Sequence, residues 1–232
     1  MNMKRLKRRK DFIVQPIKNY VTKENHKRVN HYAAFYENLP INKKTILYES
    51  RDGNSMTDSP YAMFRYMLEH PDFKDYLHIW SIADFDSLSS VILKYNGYHN
   101  VQFVKRNSKE YLQSLATCEY LINNSTFQSF YTPKKGQIYI NTWHGTPLKK
   151  MGFEIPGNPS QSQNVLRNFL STTYLLSPNP HTTKMFTDSY KLKGLYDGTI
   201  IEEGYPRIDL TFNTEPNLFK QELKNLGLNI AE

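Results

Sequence analysis

Cysteine is nearly absent from this 232-residue chain, and long hydrophobic runs are missing altogether. The lone thiol, Cys118, cannot form an internal disulfide, and its apolar neighbours make it an inert core residue. No Cys/His cluster has structural-zinc spacing, so no metal is expected. No stretch approaches the ~18–20 continuous apolar residues that cross a bilayer. The basic opening residues carry no apolar run of the kind a secretory leader needs, which makes the cytoplasm the default expectation. Also missing are a Walker-type phosphate loop, a Gly-x-Gly-x-x-Gly turn, a Gly-x-Ser-x-Gly elbow and a zinc-protease helix motif. Those absences disfavour a self-contained nucleotidase, dehydrogenase or serine hydrolase. Internal repeats and low-complexity segments are not found either.

What is present is a core's worth of apolar residues (39%), rich in Tyr (17) and Phe (13). The length suits one large domain or one and a half ordinary ones. Charge is unevenly placed. Residues 1–31 hold ten Lys/Arg against Asp11 and Glu24, a net +8. The whole chain, with 30 basic and 22 acidic residues, is also +8, so everything after residue 31 is neutral. A nucleic-acid-binding body would spread the excess over its own surface. A terminal basic arm instead suits the anionic inner leaflet of a membrane, with a solvated tail or a nucleic-acid-binding arm as the other readings. Phe12, Ile13 and Ile17 share one helical face, interrupted by Pro16, and give the arm a weakly amphipathic character.

From Lys44 onward short apolar runs alternate with helical patterns. Strands are expected at Thr45–Glu49, Leu77–Ile82, Val101–Val104, Tyr120–Asn123, Gln137–Thr142, Thr173–Leu176 and Thr199–Glu203. Helices are expected over 60–70, 86–95, 108–116, 165–171 and 180–189, with an amphipathic one at Pro216–Leu226 turning Leu218, Phe219, Leu223 and Leu226 inward. A short helix between Tyr32 and Asn42 precedes the first strand. This alternation argues for right-handed βαβ units on a parallel sheet, an α/β fold with flanking helices. Ligands of such sheets bind at the carboxyl ends of the strands. Three polar loops leave that edge: Ser50–Thr57, Trp143–Thr146 and Gly204–Asp209.

The run Asn141-Thr142-Trp143-His144-Gly145-Thr146-Pro147-Leu148-Lys149-Lys150 reads as a strand, a tight turn and a short helix, with Thr146 as N-cap and Pro147 as first helical residue. His144 is either a hydrogen-bonding turn residue or a general base. Imidazole, with an ordinary pKa of about 6.5, suits base work at neutral pH. Lys149 and Lys150 are phosphate contacts or a solvated face, and Trp143 is packing. In the first loop Gly53 lets backbone approach a ligand and Asp52 supplies polar contacts, while Asp58 serves as a helix cap. Arg207 offers a bidentate fork for phosphate or carboxylate, or else a salt bridge to Asp209.

The Asn141–Gly152 run, followed by Gly204-Tyr205-Pro206-Arg207-Ile208-Asp209, resembles the CDP-glycerol glycerophosphotransferase family, the teichoic acid primases and polymerases of Gram-positive bacteria. The Glu49–Pro60 loop and the Asn-Asn-Ser run within Leu121–Ser125 resemble its first half, and the likeness extends from about Lys43 to Glu232. The resemblance implies a Rossmann-like fold, the first domain of a two-domain GT-B-type architecture. Beyond the basic arm and short helical segment over 1–42, which charge and pattern mark as a membrane-surface contact, it implies an acceptor-side domain over 43–212 and a linker helix over 213–232. By the same resemblance His144 is the catalytic base. It deprotonates a glycerol hydroxyl of a membrane-linked poly(glycerol phosphate) or linkage-unit acceptor, which attacks the β-phosphorus of CDP-glycerol and expels CMP. Asp52, Gly53, Gly145, Thr146, Lys149 and Arg207 are the expected substrate-binding residues, and no cofactor is needed. Ile208 departs from the polar residue expected in its turn. The expected setting is peripheral, on the cytoplasmic face of the cell membrane, with no nucleic acid partner. The second, donor-binding domain would begin where this sequence stops, so the expectation is a fragment or half-enzyme with little transferase activity alone. A nucleotide-sugar glycosyltransferase half and a non-catalytic basic-arm binding module are the alternatives.

Overall fold

Side chains along the first strand alternate as a two-sided sheet demands: Ile46 and Tyr48 face one way, Leu47 the other, and all three are buried. That strand is central to the computed structural model, which describes residues 14, 17–18, 23–157, 162–213, 215–225 and 227. The face expected around Phe12 and Ile13 lies outside the described residues, as do Leu226 and the side chain of Leu218.

In chain order the elements are α1 (Glu24–Asn38), β1 (Asn42–Glu49), α2 (Asp58–Glu69), β2 (Leu77–Ile82), α3 (Ser89–Leu93), β3 (Val101–Lys105), α4 (Lys109–Thr117), β4 (Cys118–Asn123) and β5 (Ile138–Asn141). They continue with α5 (Gln163–Leu170), β6 (Tyr174–Ser177), α6 (Pro180–Lys184, extended by a π-helical turn Met185–Ser189), β7 (Thr199–Glu202), α7 (Pro206–Asn213) and α8 (Pro216–Asn225). The strands form one parallel sheet in the order β3-β2-β1-β4-β5-β6-β7. β1 pairs with both β2 and β4, so the strand order reverses there and the chain leaves their carboxyl ends in opposite directions. This is the crevice where doubly wound sheets bind ligands. The register aligns Glu49 with Asn123 and Asn123 with Asn141, making one row along that edge.

Two cores cover the two faces. Leu47, Ile79, Leu121 and Tyr139 pack under Tyr111, Leu112 and Leu115 of α4 and Tyr32 of α1. Helix α1 therefore belongs to the packed body, and its Tyr32 hydroxyl donates to the Thr132 carbonyl at 2.7 Å. On the other face Ile46, Tyr48, Trp80 and Ile122 pack under Phe64 and Met67 of α2. A third cluster gathers Phe169, Leu175, Phe186 and Tyr190 around Trp143.

Three expectations need correction. The helix expected at 86–95 shrinks to α3, because polar groups bond the chain locally: Asp86 N–H donates to Asp84 Oδ1, and the Ser87 hydroxyl to the Asp84 carbonyl. Phe219 is half exposed instead of inward. The Gly204–Asp209 segment is not all turn, since Pro206 opens α7 in the first turn, where the missing N–H has no intrahelical partner to lose.

His78 on β2 is fully buried, and its Nδ1 lies 2.9 Å from the Tyr48 hydroxyl. Burial pushes its pKa from 6.5 down to about 4, so the fold holds it neutral. The unfolded chain protonates it below about 6.5, and stability is lost as pH falls from there toward 4. The loss reaches about 3 kcal/mol from this group, at about 1.4 kcal/mol per pKa unit. Urea unfolding at pH 7 and pH 4.5 should show a smaller pH-dependent loss in His78→Gln than in the parent. An equal loss in both would remove His78 from the account.

Candidate functional site

Segments that follow β1, β5 and β7 come together beside Asn124, at the end of β4. After β1, Arg51, Asp52 and Gly53 are all left-handed (φ 48°, 58° and 79°), which throws the chain into a tight 3-10 turn. Glycine suits this place twice over. A Cβ on Gly53 would lie 3.0 Å from Ala83 N and 3.1 Å from Arg106 Cδ, and the Gly53 carbonyl accepts from Ala83 N–H at 2.8 Å. Its close backbone approach is thus to the end of β2. Asp52 Oδ1 accepts from Arg106 Nη2 at 3.0 Å, and Arg106 Nε donates to Glu49 Oε2 at 3.1 Å.

Glu49 is wholly buried, and Ser81 also donates to it. Burial raises its carboxyl pKa, while the Arg106 guanidinium and the Ser81 hydroxyl oppose that rise. Burial likewise disfavours the charge on Arg106, yet Glu49, Tyr111 and Asp52 carry its pKa above the ordinary value. A guanidinium held this firmly in its charged form, bonded at short range, fits an ionised pair. The Glu49–Arg106–Asp52 chain therefore fastens the first loop to the sheet.

The second loop continues from β5. Thr142 N–H still reaches the Asn123 carbonyl at 2.9 Å, and Trp143 N–H donates to Asn141 Oδ1 at 2.8 Å. Trp143 then turns left-handed (φ 50°), a conformation a bulky residue rarely adopts. Burial against Phe169, at 5.0 Å between ring centroids, holds it there, so Trp143 does pack. The turn places the exposed His144 ring against the Trp143 ring, 4.1 Å between centroids. His144 Nδ1 meets the Asn124 carbonyl at 2.7 Å. A carbonyl can only accept, so Nδ1 carries the proton, and in the neutral ring Nε2 carries the lone pair.

No helix follows Pro147. Residues 142–151 are irregular, so the expected Thr146 N-cap and helix N-terminus beside His144 are corrected. Leu148, which would have anchored that helix, is 94% exposed, and a short helix with no apolar face to bury is not stable. The strap is held otherwise. His181 Nε2 lies 3.1 Å from the Pro147 carbonyl, and Asn179 Nδ2 donates to Thr146 Oγ1 at 3.4 Å. Gly152 (φ 59°) closes it so tightly that a Cβ would come within 2.4 Å of the Ser189 carbonyl. Lys149 and Lys150 are exposed on the rim of a cavity of about 340 Å³ between this strap and the π-helical turn.

The start of α7, just past the third loop, supplies Arg207. Its Nη1 donates to Asp58 Oδ1 at 2.8 Å and to the His144 carbonyl at 3.0 Å, and its guanidinium lies 4.1 Å from the Tyr205 ring centroid. The partner is Asp58, 149 residues away, and not Asp209. Asp58 opens α2 but does not cap it, which corrects the expectation from sequence. Its Oδ1 takes the N–H of the next residue, Ser59, at 2.8 Å, whereas a cap receives the second or third N–H of the helix. Its second oxygen, however, accepts from Asn124 Nδ2 at 2.8 Å.

Of the residues expected from sequence, His144, Gly145, Thr146 and Arg207 come together at one point. Lys149 lies along the strap from them. Asp52 and Gly53 sit across the first loop, joined to the site through Arg51 N–H, which donates to Asn124 Oδ1 at 2.9 Å. Glu49, Arg106 and Asn124 were missed, although the Asn-Asn pair closing β4 was a visible signal. Among the described residues no group of three or more His, Cys, Asp or Glu side chains is placed to hold a metal.

A family model described as CDP-glycerol:poly(glycerophosphate) glycerophosphotransferase matches residues 31–231. The teichoic acid poly(glycerol phosphate) polymerase of Bacillus spizizenii is 33% identical over 199 residues, which is 82% of this chain and 48% of that protein. The teichoic acid glycerol-phosphate transferase of Staphylococcus aureus is 31% identical over 72% of this chain and 42% of its own length. The solved structure of the wall teichoic acid polymerase TagF superposes with a TM-score of 0.75 at 29% identity, covering 93% of this chain and 52% of that one. The chain spans about half the length of these three relatives, and little more than a quarter of two other poly(glycerol phosphate) polymerases it matches.

Proposed function

Because the chain belongs to the CDP-glycerol:poly(glycerophosphate) glycerophosphotransferase family, we propose that its three loops form the acceptor side of a glycerol-phosphate transfer site. His144 acts there as general base. Its Nε2 takes the proton of an acceptor glycerol hydroxyl. The hydroxyl oxygen bonds to the β-phosphorus of CDP-glycerol as the bond to CMP breaks. Such transfers depend on in-line positioning and charge stabilisation more than on covalent chemistry by the protein. The observation that carries this reading is the 2.7 Å bond from His144 Nδ1 to the Asn124 carbonyl, which leaves Nε2 with a lone pair on an exposed ring. Gly145, Thr146 and Lys149 follow it along the strap and supply acceptor contacts.

The test is a chimera in which residues 31–231 replace the matching stretch of the Bacillus spizizenii polymerase. It should release CMP from CDP-glycerol when a membrane-linked poly(glycerol phosphate) acceptor is present, and do nothing with UDP-glucose. Turnover of UDP-glucose alone would favour a nucleotide-sugar glycosyltransferase.

The basic arm places this site at an anionic membrane surface. Among the described residues no helix is long and apolar enough to cross a membrane. The support is charge: residues 2–22, which precede α1, hold seven Lys/Arg against one Asp. At about 1 kcal/mol per basic residue near such a surface, removing 2–22 should cut sedimentation with phosphatidylserine vesicles by at least about tenfold. Unchanged sedimentation would rule the arm out as the anchor.

A further inference from the structure

Asp58 is joined to His144 by two routes. Its Oδ2 accepts from Asn124 Nδ2, and the carbonyl of the same Asn124 receives His144 Nδ1. Its Oδ1 accepts from Arg207 Nη1, which also donates to the His144 carbonyl. One route fixes the imidazole and the other fixes the backbone that carries it.

Asn124 is fully buried, and its side chain is held on every side. Oδ1 accepts from Arg51 N–H at 2.9 Å, and Nδ2 donates to Ser50 Oγ at 3.3 Å as well as to Asp58 Oδ2 at 2.8 Å. Rotation of the 124 peptide, which would swing its carbonyl away from His144, breaks this set. The Asp58 side chain is only 14% exposed, so its negative charge is compensated by Arg207, the Ser59 N–H and the Asn124 amide. The Ser59 contact is to the adjacent residue and caps no N–H further into the helix. The remaining two bonds lead to His144.

From this closed ring of contacts we propose that Asp58, acting through Asn124 and Arg207, is a positioning residue that holds His144 in the Nδ1–H tautomer with its lone pair on Nε2. The consequence for rate rests on the reading of His144 as base; the tautomer itself does not. The arrangement follows the logic by which an acidic residue orients a catalytic imidazole, with a peptide carbonyl interposed between them. It also gives Arg207 a task other than binding phosphate directly.

The test reads the tautomer in this chain by long-range ¹H–¹⁵N correlation of ¹⁵N-histidine-labelled protein above neutral pH, with His144 assigned from its loss in His144→Gln. The parent should show the Nδ1–H form. Asp58→Asn suits the left-handed backbone at this position (φ 66°), since asparagine tolerates it, but it presents an amide donor where two donors already converge. It should move the tautomer ratio roughly fivefold toward Nε2–H, the effect of losing one hydrogen bond. Arg207→Met, a change at a partly exposed side chain, should move it the same way and serves if Asp58→Asn does not fold. A merely structural Asp58 would lower stability and leave the ratio alone. An unchanged ratio in the folded variants, or a parent already in the Nε2–H form, overturns the proposal. If the ratio shifts but His144→Ala keeps its turnover in the chimera, the positioning stands and the base assignment falls.

Discussion

Arg106→Ala should destabilise the chain by about 3–5 kcal/mol, the range seen when one partner of a buried ion pair is removed. The variant strands Glu49, whose side chain is 1% exposed, with the neutral Ser81 and Tyr111 hydroxyls beside it, the Asp52 carboxylate nearby and no cation among them. Glu49 can escape part of the penalty by taking up a proton, because burial already raises its pKa and the guanidinium that opposed the rise is gone. The loss should therefore be larger at pH 8 than at pH 5.5. Replacing both partners, Glu49→Gln with Arg106→Met, should cost less than Arg106→Ala alone, as expected when no unpaired charge remains. Urea midpoints of the parent, Arg106→Ala and the double variant, at pH 8 and pH 5.5, measure this directly. A loss below about 1 kcal/mol in Arg106→Ala would mean that the pair behaves as a surface ion pair, and the fastening of the first loop would need another cause.

The stability of that loop matters because Arg51 N–H is one of the bonds that hold Asn124. The path from Glu49 through Arg106 and Asp52 to Arg51, and on to Asn124, ends at the carbonyl that receives His144 Nδ1. Loosening Arg106 should reach the imidazole as well as the fold.

The sheet was legible because its strands are short apolar runs buried on both faces. Leu77–Ile82 matches to the residue, and the strand that leads into the His144 turn to within a residue at each end. The convergence of three loops on one edge followed from topology alone. What escaped depends on tertiary partners. Nothing in the spacing of Arg207 and Asp209 says that Arg207 reaches back 149 residues to Asp58. Nothing local says that Leu148 lacks a surface to bury against, and that absence is why the Thr146-Pro147 start signal produced no helix. Asn124 was visible only as one letter of a polar run, since its role comes from its peptide carbonyl, and any residue type has one. The sequence suggests Asp58 as a cap, a role none of its bonds fills; the two that matter reach Asn124 and Arg207, far away in sequence.

His144→Ala in the active chimera is the second large effect. A positioned general base contributes about 10²–10⁴-fold to rate, so kcat should fall by about a thousandfold. His144 is exposed, and the bond it would lose to Asn124 is one of many around that residue, so the fold should survive the change. Trp143, which holds the turn, stays in its pocket against Phe169. The chemical step should be the one affected, with little change in the CDP-glycerol concentration needed for half-maximal rate. The decisive measurement is therefore CMP release from CDP-glycerol by the chimera, with and without His144→Ala, at matched folding. The account predicts a loss of about a thousandfold, and CMP release retained to within a few-fold would contradict it.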